Sequence, residues 1–155
     1  MLTLSDMLFR LGVALFLGVI IGIERELAHK EAGVRTDLMV SAGASIFAMI
    51  GVMLPYVVEV GNLSDVIARN SGFLAVIANV VVGIGFLGAG IIVKQGTHVR
   101  SLTTAATIWF VASIGVLCGI GLISFAVIAT IGVTLLLFIL RSFNILGPFE
   151  GKGGK

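Results

Sequence analysis

Hydrophobic residues run along this chain in long blocks separated by short polar breaks. A membrane-spanning helix needs about 20 mostly apolar residues, with a range near 17–25. Met7–Ile23, Leu38–Val58 and Phe73–Val93 each meet that requirement as a single span. The next block, Leu102–Leu140, is too long for one span and long enough for two. Gly119-Ile120-Gly121 is the natural turn, giving Leu102–Cys118 and Leu122–Leu140. The pattern therefore predicts an all-α, polytopic membrane bundle of about five helices. Four helices, with one long segment partly re-entrant, is the alternative. Residues 1–140 form the transmembrane domain. Residues 141–155, with Gly147-Pro148 and a Gly/Lys end, form a short tail expected to fray or to lie on the membrane surface.

The polar breaks set an orientation. With the N-terminus outside, the cytoplasmic side holds Arg25, Lys30 and Arg35, then Lys94 and Arg100, then Arg141, Lys152 and Lys155. Only Arg10 and Arg69 remain outside. Cytoplasmic loops are enriched in Lys and Arg, so the reading is N-out, C-in. The first block is not a cleavable signal. Asp6 precedes it, and Glu24-Arg25-Glu26 stands where small residues would mark a cleavage site.

Composition agrees with a bilayer solvent. The chain is 58% hydrophobic and 12% charged, with mean hydropathy +1.18. Soluble domains carry about 25% charged residues. A formal net charge of +2 gives no case for a nucleic-acid partner. Cys118 is the single cysteine, which excludes an intramolecular disulfide and a thiolate metal cluster. His29 and His98 are too few for a histidine cage. No Ser/His/Asp or Cys/His set and no HExxH spacing is found, so the chain is not expected to be an enzyme.

Gly83-x-Gly85-x-x-Gly88 has the spacing of a dinucleotide fingerprint. That fingerprint needs a strand, a tight turn and a helix, with a carboxylate about 20 residues on. Here it lies inside an apolar block, and no carboxylate follows before Glu150. The glycines read instead as places where membrane helices approach closely. Gly18 and Gly22 continue a seam from Ala14. Ser41, Ala44, Ser45 and Ala48 supply small residues in the second helix. Gly83, Gly85, Gly88 and Gly90 make a thin, packable wall of the third, able to flex or break. Such seams serve packing within the chain or between copies, a dimer being the first expectation.

Polar residues near the span ends define a candidate site. Glu24 sits near the hydrocarbon boundary, where Arg25 or Arg35 can pair with it; simple interfacial anchoring is the alternative. Thr36 or Asp37 is placed to cap the second helix, and Asp37 complements its positive end. Arg100 and Thr103-Thr104 open the fourth helix, with Thr103 as cap. That corner is suited to an anion or to internal pairing with Glu24 or Asp37, the preferred reading. Together Glu24, Arg25, Arg35, Thr36, Asp37, Arg100, Thr103 and Thr104 are expected to form a polar cluster at the cytoplasmic face. Asn79 lies in the outer half of the third span, where an amide most often bonds a neighbouring helix; lining a polar pathway is the sharper alternative. Trp109 reads as packing.

Four motifs occur in order: Gly18-Val-Ile-Ile-Gly22-Ile-Glu24-Arg25, Ala32-Gly33-Val-Arg35-Thr36, Gly83-Ile-Gly85-Phe-Leu-Gly88-Ala89-Gly90 and Leu102-Thr103-Thr104-Ala-Ala-Thr107-Ile-Trp109. Together they resemble the MgtC/SapB family of bacterial inner-membrane proteins, in register from about residue 10 to residue 140. The resemblance implies about five membrane helices. It also implies a link to magnesium limitation, acid stress and virulence through survival inside host phagocytes. Family members are associated with restraint of the F-type ATP synthase and with magnesium-transport operons. Three departures stand out: Ser101 in place of the usual Gly, Val82 in place of a small polar residue, and a chain that stops where many members continue into an ACT-type soluble domain.

Two functions are therefore expected. In the first, this is a regulatory or accessory protein acting by helix contacts on a membrane complex, either the F-type ATP synthase or a transporter. The alternative is a transporter or channel for Mg²⁺ or another ion. Against the alternative, Asp6, Glu24, Glu26, Glu31, Asp37, Glu59, Asp65 and Glu150 all lie at or beyond span ends. No cofactor is expected. Mg²⁺ is the one candidate, with Glu24 and Asp37 its candidate ligands, which a homo-oligomer could assemble into a ring.

Overall fold

A computed structural model describes residues 2–57, 63–95 and 98–142, with side chains described at 2–54, 71–94 and 99–142. Helix α1 (Leu4–Leu27) begins a turn earlier than the apolar block because Thr3 and Asp6 cap it reciprocally. The Asp6 amide donates to Thr3 Oγ1 at 3.2 Å, and the Thr3 amide donates to Asp6 Oδ2 at 3.1 Å. Helix α1 ends at Ala28, and His29 follows with φ 53°. Helices α2 (Val34–Val57) and α3 (Leu63–Ile91) come next. Strands β1 (Val93–Gln95) and β2 (His98–Arg100) pair antiparallel, with Val93 opposite Arg100. Helices α4 (Leu102–Ile120) and α5 (Ile123–Ser142) complete the described chain.

Five helices are long and apolar enough to cross a membrane: Leu4–Leu27, Val34–Leu54, Ser71–Ile91, Leu102–Ile120 and Ile123–Ser142. The long fourth block is indeed two helices. The break comes where Gly121 takes φ 95°, a left-handed conformation that closes α4 by donating to the Cys118 and Leu117 carbonyls. The β1–β2 pairing leaves no mark in the sequence pattern, because three-residue strands are too short to show alternation. Most of the tail, residues 143–155, lies outside the described residues.

The core is the α1–α2–α4 triad, with α5 against one side. Ala14, Leu17, Ile21, Val111, Ile114, Cys118 and Ala126 form its buried apolar cluster. Lipid tails are as apolar as Leu, so helices in a bilayer associate through close packing. Small residues supply it here. A Cβ on Gly115 would collide with the Ser41 carbonyl oxygen and stand 2.9 Å from Ala44 Cβ. One on Gly119 would stand 2.5 Å from the Ser45 carbonyl oxygen and 2.6 Å from Ala48 Cβ. The Ser41 hydroxyl adds a polar tie, donating to the Ala14 carbonyl at 2.8 Å.

Within the chain, the glycines expected to form a wall of the third helix make no close approach to another helix. Gly83, Gly85 and Gly90 have open space where a side chain would go, and Gly88 makes only ordinary contact with Ala105. The reason is the position of α3 on the flank of the triad. Only 6% of its apolar window is buried, against 44% for α2 and 50% for α4. Phe86, beside these glycines, is 83% exposed. The close approaches belong to Gly18 and Gly22 of α1 and to Gly115 and Gly119 of α4.

Candidate functional site

The site forms where α1 ends, α2 begins and α4 begins. Gly18 and Gly22 build it. A Cβ on Gly22 would sit 2.5 Å from Val34 Cα, and one on Gly18 would sit 2.9 Å from the Asp37 carbonyl oxygen. The first turn of α2 therefore lies directly on the backbone of α1. That contact seals Asp37 inside, with no residual exposure.

Asp37 is not a cap. Helix α2 already starts at Val34, and the Asp37 amide donates along the helix to the Gly33 carbonyl at 3.0 Å. Neither carboxylate oxygen has a hydrogen-bond partner. The buried cation at this junction is Arg25. Arg25 is committed elsewhere: its Nε and Nη2 both reach Glu24 Oε2 at 2.6 Å. Glu24 and Arg25 are both buried, and Glu24 Oε1 has no partner. Arg25 Nη1 also points to Thr107 Oγ1 at 3.5 Å, a long contact. Thr107 itself donates to the Thr103 carbonyl at 2.9 Å.

The start of α4 is held by a residue absent from the expected cluster, Glu31 in the α1–α2 loop. Its Oε1 accepts from Ser101 Oγ at 2.9 Å and its Oε2 accepts from Thr104 Oγ1 at 3.0 Å. A carboxylate at a helix N-terminus is also favoured by the helix dipole. A backbone hydrogen bond to Glu31, followed by the Ser101 and Thr104 hydroxyls, holds its carboxyl below the usual carboxylate range. In the sequence the signal was Ser101-x-x-Thr104, two hydroxyls one turn apart with no carboxylate of their own.

The remaining expected residues divide. Glu24, Arg25, Asp37 and Thr104 are brought together at this end, with Thr36 half-buried beside Asp37. Arg35, Arg100 and Thr103 are exposed and stand outside the buried group. Arg25, not Arg35, pairs with Glu24. Arg100 lies on β2 and makes no pair with Glu24 or Asp37 among the described residues. Thr103 does not cap α4: the cap position is Ser101, at φ 66°, without a side-chain capping bond. Among the described residues, Asn79 makes no hydrogen bond to a neighbouring helix. It lines an apolar cleft of about 570 Å³ between α2 and α3, with Met39, Phe47, Val76 and Ile84. Trp109 is 52% exposed and is not part of the buried core. Among the described residues, no group of three or more His, Cys, Asp or Glu is arranged to hold a metal ion.

At the opposite end, Arg10 Nη1 donates to the Gly119 carbonyl at 2.7 Å and lies against Gly121. The sequence profile of the MgtC family matches residues 11–145, which covers most of α1 and all of α2 and α4. The chain belongs to the MgtC family. It is 46% identical over 118 residues to Protein MgtC of Brucella abortus (strain 2308), covering 76% of this chain and 44% of that one. It is 42% identical over 118 residues to Protein MgtC of Salmonella typhimurium (strain LT2), covering 76% and 45%. An uncharacterized Synechocystis protein is 38% identical over 140 residues, covering 90% and 54%. The chain thus spans about half the length of the curated relatives it matches. No solved structure matches. With five apolar helices, it is an MgtC-like multi-pass membrane protein.

Proposed function

We propose that this MgtC-family protein resides in the bacterial inner membrane, N-out and C-in. In this reading it serves magnesium homeostasis and adaptation to low Mg²⁺ or acid stress as a regulatory or accessory protein. It acts by helix contacts on a larger membrane complex, a transporter or the F-type ATP synthase. The observation carrying this reading is the packing of the triad. Backbone-to-backbone contact at Gly18, Gly22, Gly115 and Gly119 leaves no room for a hydrated path between these helices of the triad. Helices α3 and α5, by contrast, expose apolar faces for helix partners or lipid, with only 6% and 11% of their windows buried. Mg²⁺ gives up its waters reluctantly, so its passage requires a hydrated path.

The test is Mg²⁺ flux into liposomes holding the purified protein, beside affinity purification from native membranes. The expected result is no flux and co-purification of a membrane complex. Flux abolished by Glu24→Gln or Asp37→Asn would establish an ion pathway instead. One observation favours that second reading: Asp37, a buried carboxylate with both oxygens unpartnered.

A further inference from the structure

The buried charges at the α1–α2–α4 junction do not balance. Glu24, Arg25 and Asp37 are 6%, 4% and 0% exposed. They sum to two carboxylates against one guanidinium. The guanidinium is spent on Glu24 Oε2. Glu24 Oε1 and both oxygens of Asp37 are left buried without a donor. A buried, unpaired carboxylate costs several kcal/mol, on the order of the penalty for any uncompensated ion. The surroundings relieve this only in part. Asp37 lies in the first turn of α2, whose N-terminal end carries roughly half a positive charge. From α4, the buried hydroxyls of Thr104 and Thr107 are committed, one to Glu31 and the other to the Thr103 carbonyl. From the loop, Glu31 adds a further negative charge at the rim. Arg35, the next cation along α2, is exposed.

We propose that this junction is a binding site for one small monovalent cation, a sodium ion or a proton, held by the Asp37 carboxylate with Glu24 Oε1 beside it. One positive charge restores neutrality to the buried set, whereas a divalent ion would overshoot it. The enclosure points the same way: a group with no exposed surface admits an ion only without its water shell, and Mg²⁺ holds that shell most tightly. The proposal is independent of any partner complex and of whether anything is transported.

A cation that binds the folded state alone stabilises it by mass action. The experiment is thermal unfolding of the purified protein in lipid nanodiscs, with the wild type beside Asp37→Asn. Sodium chloride is titrated against choline chloride at constant ionic strength, pH is varied in choline, and magnesium chloride is added in a third series. The midpoint of wild type minus variant should rise with sodium or with falling pH. Taking the difference cancels contributions common to both, including that of Glu31. A rise with sodium assigns the site to Na⁺; a rise with acid alone assigns it to a proton. No response, the same response in Asp37→Asn, or a response to magnesium alone would overturn the proposal. Should Asp37→Asn fail to fold, the wild type still decides. It must show either one ²²Na⁺ bound per chain or the infrared band of a protonated carboxyl at neutral pH, and the lack of both refutes the site.

Discussion

Arg10 Nη1 donates to the Gly119 carbonyl oxygen at 2.7 Å, joining the first turns of α1 to the last turn of α4. The last carbonyls of a helix have no partner within it, and a cation there also meets the negative end of the helix dipole. Hydrogen bonds to charged groups contribute about 1.5–3 kcal/mol. Arg10→Ala should therefore lower the unfolding midpoint in nanodiscs, and Arg10→Lys should recover part of the loss. An unchanged midpoint in Arg10→Ala would mean that water or headgroups replace the guanidinium fully.

The glycines separate packing from exposure. Gly115 and Gly119 face backbone and Cβ atoms of α2 that cannot yield, whereas Gly83 and Gly85 face open space. Gly115→Val or Gly119→Val should destabilise by at least the 1–3 kcal/mol typical of overpacking, about enough to lose folded material on purification. Gly85→Ala should be neutral or stabilising, since Ala is favoured over Gly in a helix by about 1 kcal/mol. Size-exclusion yield and unfolding midpoints compare the two classes directly. Equal damage from Gly85→Ala would place a second protein surface on α3.

How much of this was legible in the sequence follows from the same residues. The five helices were visible because apolar block length is a property of each segment alone. The turn at Gly121 was visible for the same reason. Which glycines touch another helix was not, because that depends on which face of α3 meets the triad. The cluster was half legible. Glu24, Arg25 and Asp37 stood out as charges near hydrocarbon. The pairing of Glu31 with Ser101 and Thr104 spans about seventy residues of sequence and depends on the loop folding back over α4. Arg35 and Arg100 looked equivalent to Arg25, and only the burial of α1 against α2 and α4 distinguishes them.

That distinction is testable. Arg25 is 4% exposed and bonded to Glu24, and removing one partner of a buried ion pair costs about 3–5 kcal/mol. Arg35 is exposed, and substitutions at such positions usually stay within about 0.5 kcal/mol. Arg25→Ala should reduce the folded yield severely, while Arg35→Ala should match wild type in nanodisc unfolding. Comparable losses in both would show that Arg35 engages the cluster in the membrane.

Glu31 makes a prediction about acid. Its own backbone contact and the Ser101 and Thr104 hydroxyls hold its folded-state pKa below the ordinary carboxylate value of 4.5. A depressed pKa means the unfolded state takes up the proton first as pH falls. The contribution of Glu31 is therefore complete above that ordinary value. It declines as pH drops through it toward the lower folded-state pKa. Wild type should lose more of its unfolding midpoint across this acid window than Glu31→Gln, and the two curves should run parallel at neutral pH. Thr104→Ala should weaken the acid response while leaving Glu31 in place. The direction is opposite to that expected for proton binding at Asp37, so the two groups are separable in one titration. A Glu31→Gln curve that falls as steeply as wild type would show that the loop-to-α4 clamp adds no stability through its charge.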